Sequence, residues 1–80
     1  MIRKGLVNDM RNPDRLDLFY DEVKIIHKQY FPDWRFGQLM VNFIEWFSIQ
    51  VGLDIFFQEE DSMLKYLQRY ADIYGIRRKA

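Results

Sequence analysis

His27 is the only histidine in the sequence, and no cysteine, serine or carboxylate stands at a motif spacing from it. Metal binding and general-base catalysis therefore both lack partners. On helical spacing it falls among apolar residues, where a histidine at the core boundary is the expected outcome. The two serines, Ser48 and Ser62, occupy no nucleophile-elbow context, and the chain has neither a P-loop nor a dinucleotide glycine motif. Glu59-Glu60-Asp61, with Asp54 upstream, offers the oxygen ligands that calcium or magnesium takes, but not the spaced D-x-D-x-D-G loop. A solvated helix start, with carboxylates at the positive end of the dipole, is the expected role. The expectation is no enzyme, no cofactor and no metal.

What remains is binding chemistry. Arg35, Gln38 and Asn42 are three and four residues apart and so share one polar strip on a helix. The expected use of the Gln38 and Asn42 amides is to satisfy backbone groups of the 52–58 loop; the alternative is a strip that binds a peptide or a base edge. Asp14, Arg15, Asp33 and Arg35 have the charges to pair across the junction of the first two helices, as caps and surface ion pairs. Leu18 and Ile25, seven apart and opposite the core stripe of the first helix, together with Trp46 at the edge of the second, are candidates for a partner surface. The bland reading of Leu18 and Ile25 is scattered surface, or cover by an arm carrying Leu6, Val7 and Met10.

A nucleic-acid reading rests on Arg3-Lys4 and Arg77-Arg78-Lys79 approaching one another, with Tyr66, Tyr70 or Tyr74 available to stack on bases. Twelve Lys and Arg against twelve Asp and Glu give no net charge, which disfavours nonspecific nucleic-acid or membrane-surface attachment. No helix-turn-helix signature appears.

The elements that must position these residues follow from apolar spacing. Asn12-Pro13 opens a helix, Asn as acceptor for free amides and Pro at the first helical position. Leu16, Phe19, Tyr20, Val23, Ile26, His27 and Tyr30 then recur at threes and fours until Pro32 pushes its predecessor out of the α region. A second helix is expected from Trp34 to about Gln50, with Asp33 as N-cap and Phe36, Leu39, Met40, Phe43, Ile44 and Phe47 as its stripe. Apolar residues nearly encircle it, which marks it as central. Gly52 ends it, and residues 51–58 are expected to form a packed apolar loop. The third helix carries Met63, Leu64, Leu67, Tyr70, Ala71 and Tyr74, and Gly75 is expected as a left-handed cap. The prediction is an all-α bundle of about three helices, 12–30, 34–50 and 60–74, in one domain with residues 1–11 as an arm or short turn.

Eighty residues bury only about 60 to 65% of the surface of the unfolded chain, so every large apolar side chain matters. With no cysteine, neither a disulfide nor a cysteine zinc site staples the fold. Seven Phe, five Tyr and two Trp are the main packing resource. The N-terminal residues lack the apolar core of a signal peptide and no apolar run is long enough to span a membrane, so the expectation is a soluble cytoplasmic protein.

Asn12-Pro13-Asp14-Arg15-Leu16, Pro32-Asp33-Trp34-Arg35-Phe36-Gly37-Gln38-Leu39 with Asn42, and Asp54-Ile55-Phe56-Phe57-Gln58-Glu59-Glu60-Asp61 carry a resemblance. Together they resemble a group of short uncharacterised bacterial and phage proteins. That group's pattern is close to D-P-x-R-I, then P-D-x-R-x-G-Q-L-x-x-N, then D-x-F-(F/Y)-x-E-(D/E). The resemblance covers residues 12–74, its middle motif being the most specific, and departs at Asn12, where Asp is usual, and Ile55, where Pro is common. It implies the same element order and no known activity. The sequence therefore predicts a non-catalytic interaction or regulatory module that binds a protein partner, or itself as a homodimer, through an apolar and aromatic surface. The alternative is a nucleic-acid-associated accessory protein using the basic termini.

Overall fold

The computed structural model describes residues 11–76, and they form an all-α bundle. Helix α1 is Arg15–Tyr30, α2 is Phe36–Trp46 and α3 is Glu60–Tyr74. A π-helical turn, Phe47–Val51, prolongs α2, and a 3-10 turn, Ile55–Phe57, precedes α3. No strand occurs among the described residues. The expected arm with Leu6, Val7 and Met10, and the basic groups Arg3-Lys4 and Arg77-Arg78-Lys79, lie outside them.

The path is up, down, up. Arg15 Nε bonds Glu60 Oε1 at 3.0 Å, joining the starts of α1 and α3, and the Ile76 N–H donates to the Tyr30 carbonyl at 2.8 Å, joining their ends. The first and third helices thus run parallel and pack along each other, and α2 meets α3 over a shorter stretch in the antiparallel sense, Phe43 against Tyr70 and Phe47 against Tyr66. Arg15 was expected to pair at the α1–α2 junction; it bridges to α3 instead, and Arg11 makes a second such bridge to Glu59 at 2.8 Å. Local spacing does not foresee a partner 45 positions away.

Helix α1 starts later than the Asn12-Pro13 signal suggests. The Asn12 Oδ1 accepts from the Asp14 N–H at 2.9 Å, and Arg15, Leu16 and Asp17 each bond a carbonyl three residues back, so Asn12 caps a tight turn that leads into the helix.

The start of α2 also moves. Asp33 is not its N-cap: Trp34 N–H bonds the Phe31 carbonyl at 3.1 Å, which draws residues 31–34 into a turn and leaves Arg35, in extended backbone, as the cap residue. The Arg35 N–H donates to Gln38 Oε1 at 2.7 Å, the returning half of a capping box. Gln38 therefore satisfies its own helix start and not the 52–58 loop.

The core consists of Ile26, Phe31, Leu39, Phe43, Phe47, Leu67, Tyr70 and Ala71. Tyr70 is its hub, with ring centroids 5.6 Å from Phe31, 5.7 Å from Phe43, 5.4 Å from Trp46 and 5.0 Å from Tyr74. Of the α2 stripe, only Leu39, Phe43 and Phe47 are fully buried; Phe36 is 63% exposed and Ile44 42%, so the stripe is wider than the bundle covers. Gly52 does end the helical run in left-handed backbone, φ 79°, where glycine adopts the conformation without a Cβ penalty.

The loop after it is only partly packed. Val51 and Ile55 lie against the core, whereas Phe56 and Phe57 stand 81% and 72% exposed, edge to face at 4.9 Å. Asp54 caps the 3-10 turn by accepting from the Phe56 N–H at 3.0 Å. In so short a turn, one side chain points inward and its neighbours point out.

Gly75 is not left-handed: its φ is −77°. A Cβ there would meet the Ala71 carbonyl oxygen and the Tyr30 Cβ, each at 2.6 Å, so the glycine is needed for the close approach of the α1 and α3 ends. At Gly37, by contrast, a Cβ would meet nothing among the described residues.

Candidate functional site

Two concave surfaces flank α2. On the α1 side, a groove of about 200 Å³ is lined by Phe19, Val23, Phe36, Met40, Ile44 and Ile55 above the core residues Phe43 and Leu67. Among the described residues, no charged side chain lines it. It exists because the α2 stripe is wider than the face that α1 and α3 cover, so Phe36 and Ile44 remain at its rim. The exposed Phe56 and Phe57 follow directly on Ile55, which forms part of its wall.

On the α3 side, a trough of about 300 Å³ is lined by the aromatic residues Trp46, Tyr70 and Tyr74, the polar residues Asn42, Glu45 and Gln50, and Ile49. Positions 42, 45, 46, 49 and 50 recur at helical spacing, so one face of α2 and its π turn supplies one wall. Tyr70 and Tyr74, one turn apart on α3, supply the other. The planes of Trp46 and Tyr70 meet at 55° and those of Tyr70 and Tyr74 at 44°, so the aromatic wall is folded and not a flat stack. Burial pushes the Tyr70 hydroxyl above the usual phenol range, with Tyr74 adding to the shift, and the phenol stays neutral at physiological pH.

A third depression lies between the starts of α1 and α3, lined by Arg15, Leu18, Phe19 and Leu64 with Glu59, Glu60 and Asp61. The Arg15 guanidinium beside Glu60 holds that carboxyl below its ordinary value, chiefly through their hydrogen bond. The acidic run thus serves the helix start and the α1–α3 bridges. Among the described residues, no group of three or more His, Asp or Glu is placed to hold a metal ion.

The candidate residues divide among these places. Leu18, 65% exposed, lines the acidic depression, Ile25 stands 41% exposed on α1, and Trp46 belongs to the trough; no described cavity joins Leu18 or Ile25 to Trp46. Arg35, Gln38 and Asn42 are all exposed, but they separate by role: Arg35 and Gln38 make the α2 start, and Asn42 lines the trough. His27 is half-buried, with Nε2 2.7 Å from the Trp34 carbonyl oxygen. Of the tyrosines considered for base stacking, Tyr70 packs against Trp46, Tyr74 lines the same trough, and Tyr66 packs edge-on against Phe47. Glu45 and the exposed pair Phe56-Phe57 were missed. Glu45 could have been found from its spacing, three beyond Asn42 and beside Trp46, whereas the exposure of the two phenylalanines had no local signal.

No helix among the described residues is long and apolar enough to cross a membrane. No protein-family model matches the chain, and no curated protein and no solved structure shows significant similarity to it.

Proposed function

We propose that the protein is a non-catalytic interaction module that binds a protein partner through the apolar groove between α1 and α2, with a second copy of the chain as its simplest occupant. The observation that carries this reading is the groove's lining, which is free of charge among the described residues and flanked by solvent-exposed Phe36, Ile44, Phe56 and Phe57. Contiguous exposed apolar side chains of this size mark interfaces more often than ordinary surface. Covering those four residues removes roughly 500 Å² per copy and about 1,000 Å² for a symmetric pair, the lower bound of a specific interface. Because the exposed phenylalanine pair adjoins the groove, a two-fold axis near Ile55 would let each copy's pair enter the other's groove, a closed arrangement.

Light scattering over a concentration series tests this on the wild type and on a Phe36→Glu/Phe57→Glu variant, both changes being at exposed positions. The expected result is a wild type whose mass rises with concentration and a variant that stays monomeric. A wild type that is monomeric throughout removes the self-association form. A variant that also retains every protein captured by the wild type from cell extract overturns the groove reading.

A further inference from the structure

Among the described residues, the trough on the other side of α2 shares no lining residue with the groove, and it has a different chemistry. We propose that it binds an alkylated ammonium group, of the kind carried by choline or methylated lysine. Three aromatic residues, Trp46, Tyr70 and Tyr74, line one concavity, Tyr70 almost wholly buried there, and aromatic faces attract cations, tryptophan most strongly. Glu45 adds a full negative charge at the rim and makes no ion pair with any described residue. Among the described residues no Lys or Arg lines the trough, so none of them offers a phosphate or carboxylate ligand a counter-charge, and Glu45 would repel it.

Alkylation is selected by the rest of the lining. A bare ammonium is compact and strongly hydrated, and an open trough offers it too few acceptors to replace that water. Methyl groups spread the charge over an apolar surface that packs against aromatic faces and Ile49. The side-chain amides of Asn42 and Gln50 line the same trough and form no hydrogen bond among the described residues, which leaves them for the remainder of the ligand.

The wall is also built before any ligand arrives. Tyr70 is 5% exposed and fixed by Phe31 and Phe43 behind it, so little ordering is required on binding.

The test is a ¹H–¹⁵N NMR titration of the full chain with choline, with a short peptide carrying trimethyllysine, and with 3,3-dimethylbutan-1-ol, the neutral isostere of choline. Both cationic probes are expected to move the Trp46 indole signal and the Glu45 and Tyr74 amides, and the neutral alcohol is expected to leave them in place. Tyr74→Ala and Glu45→Gln, both at exposed positions, should each weaken binding by about three- to tenfold. Tighter binding of the peptide assigns the group to a modified protein, and tighter binding of choline assigns it to a small molecule. Equal response to the alcohol, variants that bind like the wild type, or still signals at tens of millimolar probe would each overturn the proposal. None of these results bears on the groove.

Discussion

His27 Nε2 lies 2.7 Å from the carbonyl oxygen of Trp34, and this bond ties the last turns of α1 to the corner that leads into α2. A carbonyl can only accept, so the ring nitrogen donates. The corner's other ties are backbone bonds from Phe31 N–H to His27 O and from Trp34 N–H to Phe31 O and the stacking of the Phe31 and Trp34 rings at 4.6 Å. His27→Ala should therefore lower unfolding free energy by about 1 kcal/mol. In urea denaturation the loss should come with faster amide exchange at residues 34–38, ahead of the rest of the molecule. Unchanged stability would show that the bond contributes nothing net.

Two glycines should respond to the same substitution with opposite sign. Gly75→Ala places a Cβ 2.6 Å from a backbone oxygen and from the Tyr30 Cβ, neither of which is the loose end of a flexible side chain. Overpacking of that kind costs about 1 to 3 kcal/mol, and the Ile76–Tyr30 bond across the helix ends is the first contact to suffer. Gly37→Ala meets nothing in the exposed first turn of α2 and removes backbone freedom from the unfolded chain, a gain of about 0.5 kcal/mol. Thermal melts of the two single variants should bracket the wild type.

Those glycines also show where the sequence was legible and where it was not. The order and number of helices follow from apolar residues at threes and fours, because any helix here must bury one face. Glycine marks special backbone without saying which kind: Gly52 is left-handed, Gly75 is a close approach and Gly37 is neither. Helix ends depend on short turns, and the turn at 31–34 took the cap role from Asp33 and gave it to Arg35. The parallel docking of α1 and α3 rests on pairs such as Arg15–Glu60, which no local pattern encodes. For the same reason one wall of the trough, positions 42 to 50, was visible as a helix face, whereas its meeting with Tyr70 and Tyr74 was not.

Acid should weaken the α1–α3 bridge in a defined direction. Arg15 holds the Glu60 carboxyl below its ordinary value in the folded protein. A depressed folded pKa means that the stabilisation is complete above the unfolded value and is lost as pH falls through the folded one. The pair is partly exposed, so its worth is about 0.2 to 1 kcal/mol. Glu60→Gln should be less stable than the wild type near neutral pH by that amount, with the difference closing below about pH 4. A difference that persists or widens in acid would mean that Glu60 acts through packing and not through its charge.

Arg35 and Gln38 sit three residues apart, yet the structure assigns them unequal weight. Gln38 Oε1 accepts the Arg35 N–H at 2.7 Å, so Gln38→Ala strands a backbone donor at the helix start and should cost about 0.5 to 1 kcal/mol. Gln38→Glu retains an acceptor and adds a negative charge at the positive end of the α2 dipole, so it should match or exceed the wild type. The Arg35 guanidinium contacts no hydrogen-bond or ion-pair partner among the described residues, and the cap geometry uses only its backbone. Arg35→Ala should therefore stay within about 0.5 kcal/mol of the wild type. Chemical denaturation of the three variants orders them as Glu ≥ wild type ≈ Arg35→Ala > Gln38→Ala. If Arg35→Ala falls as far as Gln38→Ala, the arginine side chain has a structural partner. If it does not, a loss of binding in that variant would place Arg35 at a partner's surface, because its fold would be intact.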